Sequence, residues 1–180
     1  MTHTLPLTQA QQEATNGNHT TAIEHYLTAE KICKANNDHP NLCTIYAQLS
    51  HSYATLKEHK KSLAYAMEAF AISKELHGLD NLTTLTIIKQ IADAYIHVAL
   101  KHNNQQYSQK ALTSLQEVKQ KVSHLDPSDP FVISLNVSIA YVYHKLNMHD
   151  NTTATLAIIK DMQITDPLDI EKLNEIDLYK

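Results

Sequence analysis

The chain has 180 residues, enough for one domain with a sizeable core. Its formal charge is −4 and all fifteen of its basic residues are lysine, so it lacks both the dense basic face and the arginine forks on which nucleic-acid binding usually rests. Two glycines and five prolines leave helix-breaking punctuation sparse, and long helices are expected.

The N-terminal stretch MTHTLPLTQAQQ has neither a cationic start nor an apolar stretch after it, and is not read as a signal peptide. Helices are expected at about 7–15 and 19–35, the second with a buried stripe of Ala22, Ile23, Tyr26 and Ala29 and with Gly17 in the turn before it. Cys33 and Cys43 flank the next turn; their spacing is not that of a zinc site, and two free thiols are expected. Helices at about 41–56, 60–77, 81–101 and 106–124 follow, then 129–146, 150–163 and 168–178. The segments NNDHPN, HGLDN, LDPSDP and TDPLD separate them and supply Asp, Asn, Pro or Gly where one helix stops and the next is capped. The longest apolar run, Phe131 to Tyr143, is too short to span a bilayer. A cytoplasmic protein is expected.

The chain repeats itself. Tyr53, Tyr95 and Tyr143 each follow a small residue three back (Ser50, Ala92, Ala140) and an aliphatic four back (Leu49, Ile91, Ile139). Another aliphatic lies three on: Leu56, Val98, Leu146. The spacing is 42 residues and then 48, the longer interval being taken up by the turn LKHNNQQYSQ. Second-helix stripes follow each copy: Ser62, Leu63, Ala66, Ala69 and Phe70; then Ala111, Leu112, Leu115 and Val118; then Thr152, Leu156 and Ile159. The pattern gives four helix pairs in a single domain over 1–180, at about 5–37, 41–79, 81–125 and 129–164. A final amphipathic helix, 167–179, carries Leu168, Ile170, Leu173 and Ile176. It is read as a cap with a polar outer face, the alternative being the first helix of a further repeat. The three repeat tyrosines are expected to fill the gaps between neighbouring pairs.

Over about residues 5–163 this pattern resembles the tetratricopeptide repeat, W-x2-L-G-x2-Y…A-x3-F, without the Trp and with Ser or Ala in place of Gly. The long period, the DHP before one first helix and the LHG after its partner are similar to the variety found in kinesin light chains and many bacterial proteins. The resemblance implies an all-α, right-handed α-α superhelix of four helix pairs plus a C-terminal helix, with first helices lining a concave surface. On that alignment the outward positions are Thr44, Gln48, His51 and Thr55; then Thr86, Lys89, Gln90, Asp93 and His97; then Ser134, Ser138, Tyr141 and Lys145. The weak first repeat adds Thr8, Gln11 and Thr15. Tyr141 is the expected aromatic anchor of the groove. Some family members clamp a C-terminal carboxylate with Lys, Asn and Arg at such positions; the absence of arginine and of a matching Asn here argues against that ligand.

No G-x-S-x-G, H-E-x-x-H or phosphate-binding loop occurs, so an enzyme is not expected. Twelve histidines are many, but no pair on one helix has metal-ligand spacing; neither a metal nor a cofactor is expected. The sequence thus points to a scaffold or adaptor whose partner is another protein or a peptide, held by hydroxyl and amide groups along a polar groove. The alternatives are a bacterial signalling-peptide receptor, a secreted effector, and a module that self-assembles through its terminal repeats.

Overall fold

The computed structural model describes residues 4–101 and 104–176. Among these residues there are nine helices and no strand: α1 (Thr4–Thr15), α2 (His19–Ala35), α3 (His39–Thr55), α4 (His59–His77), α5 (Leu82–Lys101), α6 (Gln105–Lys121), α7 (Pro130–Lys145), α8 (His149–Ile159) and α9 (Pro167–Asn174). All nine expected helices are present. Helices α6, α8 and α9 stop earlier than their periodicity predicts, and residues 177–179 of the expected last helix lie outside the described residues.

Helix starts and stops follow two recurring devices. First helices α3 and α7 begin with an Asp side chain accepting a backbone N–H, Asp38 from Asn41 and Asp129 from Phe131, with proline in the first turn. Second helices α2, α4 and α8 have no side-chain cap. They follow a tight turn in which one residue adopts the left-handed conformation: Gly17, Lys57 and Asn147, at φ 80°, 60° and 58°. Asn37, at φ 52°, repeats this between α2 and α3. In each case the next N–H reaches five residues back, as in Asn18 to Glu13, Asp38 to Cys33, Glu58 to Tyr53 and Met148 to Tyr143. These bonds satisfy carbonyls that the helix end leaves open. The α9 helix starts like a first helix: Asp166 accepts from Leu168 and Asp169 N–H, and Pro167 opens the turn.

The chain divides into two compact units, Met1–Ala94 and Tyr95–Lys180, and the division falls inside α5. In the first unit α1 packs on α2, α2 on α3 and α3 on α4. Its core joins Leu7 and Ala10, Ala22, Ile23, Tyr26 and Ala29, Leu42, Ile45, Tyr46, Leu49 and Tyr53, with Ala69 and Ile87. Small buried residues (Ser50, Ser62, Ala66, Ala69, Ser73) let α3 and α4 approach, and the Ser50 and Ser62 hydroxyls bond each other at 3.2 Å. Cys33 and Cys43 are unbridged and buried, and burial raises both thiols above their ordinary range, which keeps them protonated. In the second unit α6 and α8 pack on α7, and α9 packs on α7 as well. The stripes Ala111, Leu112, Leu115, Val118 and Thr152, Leu156, Ile159 are buried as expected. Each large apolar side chain fully buried here contributes about 1.5–3 kcal/mol.

Two of the three repeat tyrosines form ring stacks that the repeat pattern alone does not predict. Tyr53 stacks on Tyr65 at 5.5 Å and 7°, and Tyr95 on Tyr107 at 5.6 Å and 10°. Each of these stacks joins the two helices of one pair. Both partners lie twelve residues on, a second copy of the period that the sequence displays. Position 155 is Thr, and there Tyr143 instead accepts a hydrogen bond from Gln116 on α6.

Candidate protein-binding face

The first-helix stripe differs between the two units. On α3, Thr44 is exposed and Gln48, His51 and Thr55 are half-buried, while Leu42, Ile45, Tyr46, Leu49 and Tyr53 of the same helix are buried. On α1, Thr8, Gln11 and Thr15 are exposed. The His51 ring meets His19, at the start of α2, edge-on at 5.9 Å, and the His19 Nδ1 lies 3.4 Å from the Ser52 hydroxyl. Burial lowers the His19 pKa below its ordinary value and favours the neutral ring.

The threonines of this stripe are partly satisfied already. Thr8, Thr15, Thr44, Thr55 and Thr86 each donate their hydroxyl to the carbonyl four residues back. They offer a ligand lone pairs rather than donors. The amide of Gln48 offers both.

On α5, Thr86, Gln90 and Asp93 are half-buried. Lys89 was expected to point outward and is buried, because its ammonium folds back onto Asp93 one turn on, 3.0 Å away. The Gln90 Oε1 is buried without a hydrogen-bond partner.

On α7 the stripe is covered. Ser134 and Lys145 are half-buried, but Ser138 and Tyr141, expected to face outward, are 0% and 1% exposed. The cause is α9. Its Lys172 donates to the Ser138 hydroxyl at 2.9 Å and pairs with Asp169 at 3.2 Å, both charged groups being buried. One oxygen of Glu175, just past the end of α9, accepts from the Tyr141 hydroxyl at 2.8 Å and from Lys145 Nζ at 2.7 Å. The Lys145 ammonium also sits 4.8 Å from the Tyr141 ring centre, and the His97 ring packs on Tyr141 at 5.8 Å. Burial alone pushes the Glu175 carboxyl up; the bonds from Lys145 and Tyr141 outweigh it and leave the group below its ordinary pKa. Leu173 and Ile176 supply the apolar part of this contact, whereas Ile170, expected in the same apolar face, is exposed.

Asp169, Lys172 and Glu175 are the residues that sequence reading missed. Their three-residue steps place them along one side of α9. That signal was present, but a short helix near the C-terminus reads naturally as a cap with its charges in water. Among the described residues no group of three or more His, Cys, Asp or Glu is arranged to hold a metal, and no helix is long and apolar enough to cross a membrane.

Residues 2–75 match the family model described as tetratricopeptide repeat. No curated protein sequence matches the chain. Several solved structures are similar in fold. A thermophilic tetratricopeptide-repeat protein of Thermus thermophilus, TTC0263, aligns with TM-score 0.69 at 17% identity, covering 98% of this chain and 81% of that one. A putative kinesin light chain of Podosopora anserina with nearly identical repeats aligns with TM-score 0.68 at 17% identity, covering 95% and 82%. BtubC (BKLC) from P. vanneervenii aligns with TM-score 0.68 at 17% identity over 91% of this chain, which spans 66% of its length. The chain therefore has the all-α solenoid fold of tetratricopeptide-repeat proteins, kinesin-light-chain-like repeats among them, and carries the family's own sequence pattern over residues 2–75.

Proposed function

We propose that the chain is a non-catalytic protein-binding scaffold, an adaptor that holds a segment of a partner on the polar stripe of its first helices. The observation that carries this reading is the stripe on α3. Thr44, Gln48, His51 and Thr55 stay polar and at or near the surface on a helix whose other faces the core consumes. Folding alone does not require amide, hydroxyl and imidazole groups to line up there. A peptide backbone presents N–H donors and carbonyl acceptors in alternation, which matches threonine lone pairs beside a glutamine amide. Repeat scaffolds generally bind through such extended faces.

The test replaces Thr44 and Gln48 with lysine. Asp93 is unsuitable because a lysine there would destroy its ion pair with Lys89. Both chosen positions tolerate a long helical side chain, so stability should move by no more than about 0.5 kcal/mol. Affinity capture from native lysate is expected to recover a partner with the wild type and lose it with T44K/Q48K. Equal recovery by both overturns the α3 assignment. Absence of any partner, together with concentration-dependent association in light scattering, replaces the adaptor reading with self-assembly.

A further inference from the structure

The α9 contact is built like a ligand complex rather than like a core. Beside the buried apolar side chains of Leu173 and Ile176 it carries a polar set: a buried lysine–aspartate pair, a lysine-to-serine bond, and one carboxylate oxygen shared by a tyrosine and a lysine. Buried ion pairs add little net stability over an apolar replacement, but they fix which partner and which register is accepted. The α7 residues on the receiving side are Ser138, Tyr141 and Lys145, the repeat equivalents of Gln48, His51 and Thr55 on α3. So α9 sits on the positions that the scaffold reading gives to a partner.

We propose that α9 is a cis-acting occupant of a carboxylate-receiving face on α7, and that the partner which displaces it is a short amphipathic helix ending in a glutamate, placed as Glu175 is. This rests on the reading of the first helices as the binding face. The chemistry of the partner follows from the donors that α9 now satisfies. Tyr141 OH and Lys145 Nζ converge on one acceptor, and His97 packs beside them, so a carboxylate is the matching group. Ser138 accepts, so a cation one turn earlier completes the match. A closed α9 lowers the apparent affinity for such a helix by the fraction of time the face is open.

The probe is a fluorescent synthetic peptide of sequence DPLDIEKLNEI, titrated into the full chain. Leu173→Asp removes the apolar anchor of α9 and leaves α7 unaltered. The peptide is expected to bind this variant about ten- to a hundredfold more tightly than the wild type. Adding Lys145→Ala to that variant, or changing the peptide's last glutamate to glutamine, should reverse the gain. Equal affinity for wild type and Leu173→Asp overturns the proposal, as does binding indifferent to Lys145. If Leu173→Asp does not fold, amide hydrogen exchange on the wild type decides: α9 must open at least about tenfold more often than α7, and equal protection of the two helices overturns the proposal. The two readings fail separately. A lysate partner lost with T44K/Q48K but captured equally by Leu173→Asp and wild type overturns this proposal and keeps the scaffold. A peptide that switches as expected, in a lysate that yields no partner, supports this face and removes the α3 assignment.

Discussion

Among the described residues two tyrosines are no more than 1% exposed, one in each unit, and the two are treated differently. Tyr26, on α2 in the first unit, is 0% exposed and its hydroxyl has no hydrogen-bond partner. Tyr141, on α7 in the second, is equally buried, and its hydroxyl donates to the ionised Glu175. Tyr26 fills volume in an apolar core, and its hydroxyl is a cost carried along. Tyr141 is held by a charged network at the face where α9 meets α7. The first unit is a packed core with a polar stripe left over. The second has that stripe occupied.

The same substitution should therefore have opposite signs at the two sites. Tyr141→Phe removes a hydrogen bond to a charged acceptor and is expected to destabilise by about 1.5–3 kcal/mol. Tyr26→Phe removes a buried unsatisfied hydroxyl without changing the ring, and is expected to stabilise by about 1 kcal/mol. Chemical denaturation of both variants against the wild type checks the pair. A loss at both sites would show that the Tyr26 hydroxyl has a partner, and the contrast between the units would fall with it.

Acid should separate the units in a defined order. The His19 pKa is lowered by burial, so the unfolded chain binds that proton more readily than the folded one. Its contribution is present above the ordinary histidine pKa of about 6.5 and is lost as pH falls below it. Glu175 also has a lowered pKa, but from a carboxylate's starting point, so its contribution is intact until the pH drops below about 4.3 and is lost through the lowered value. Between about pH 6 and 5, amide protection should weaken around α2 and α3 while α9 holds its own. Protection lost first at α9 would contradict this order.

The repeat, the helix pairs and most of their buried stripes were legible because they rest on local signals: helical periodicity, small residues at close crossings, and Asp–Pro or left-handed turns at the ends. Ala111, Leu112, Leu115 and Val118 needed no tertiary information to be placed inside. Lys89, Ser138 and Tyr141 were misplaced for one shared reason. Periodicity says which residues share a face of a helix, not what lies against that face. For Lys89 the missing fact was an ion pair folded back along the helix; for Ser138 and Tyr141 it was a later helix bringing its own charges. Asp169 and Lys172 escaped because a buried charge is legible only together with its partner, and Glu175 because its two partners lie some thirty residues back on α7.

The smallest expected effect concerns a feature the two units have in common, the left-handed turn inside a helix pair: Gly17 and Lys57 hold it in the first unit and Asn147 in the second. Gly17 and Lys57 stand in equivalent turns with nearly the same backbone, φ 80° and 60°. A Cβ added at Gly17 meets nothing within 4 Å, so Gly17→Ala changes only the conformational cost of holding an L residue in the left-handed region, about 1 kcal/mol of destabilisation. Lys57 already bears that cost, and Lys57→Gly should return a similar amount, reduced by whatever the lysine side chain contributes. Thermal melts of the two single variants should move in opposite directions, and the double variant should fall between them, since the turns lie in different helix pairs and share no partner in the hydrogen-bonded backbone. If Lys57→Gly destabilised the protein instead, the lysine side chain would matter more to that turn than its backbone does, and the likeness of the two turns would end at their dihedral angles.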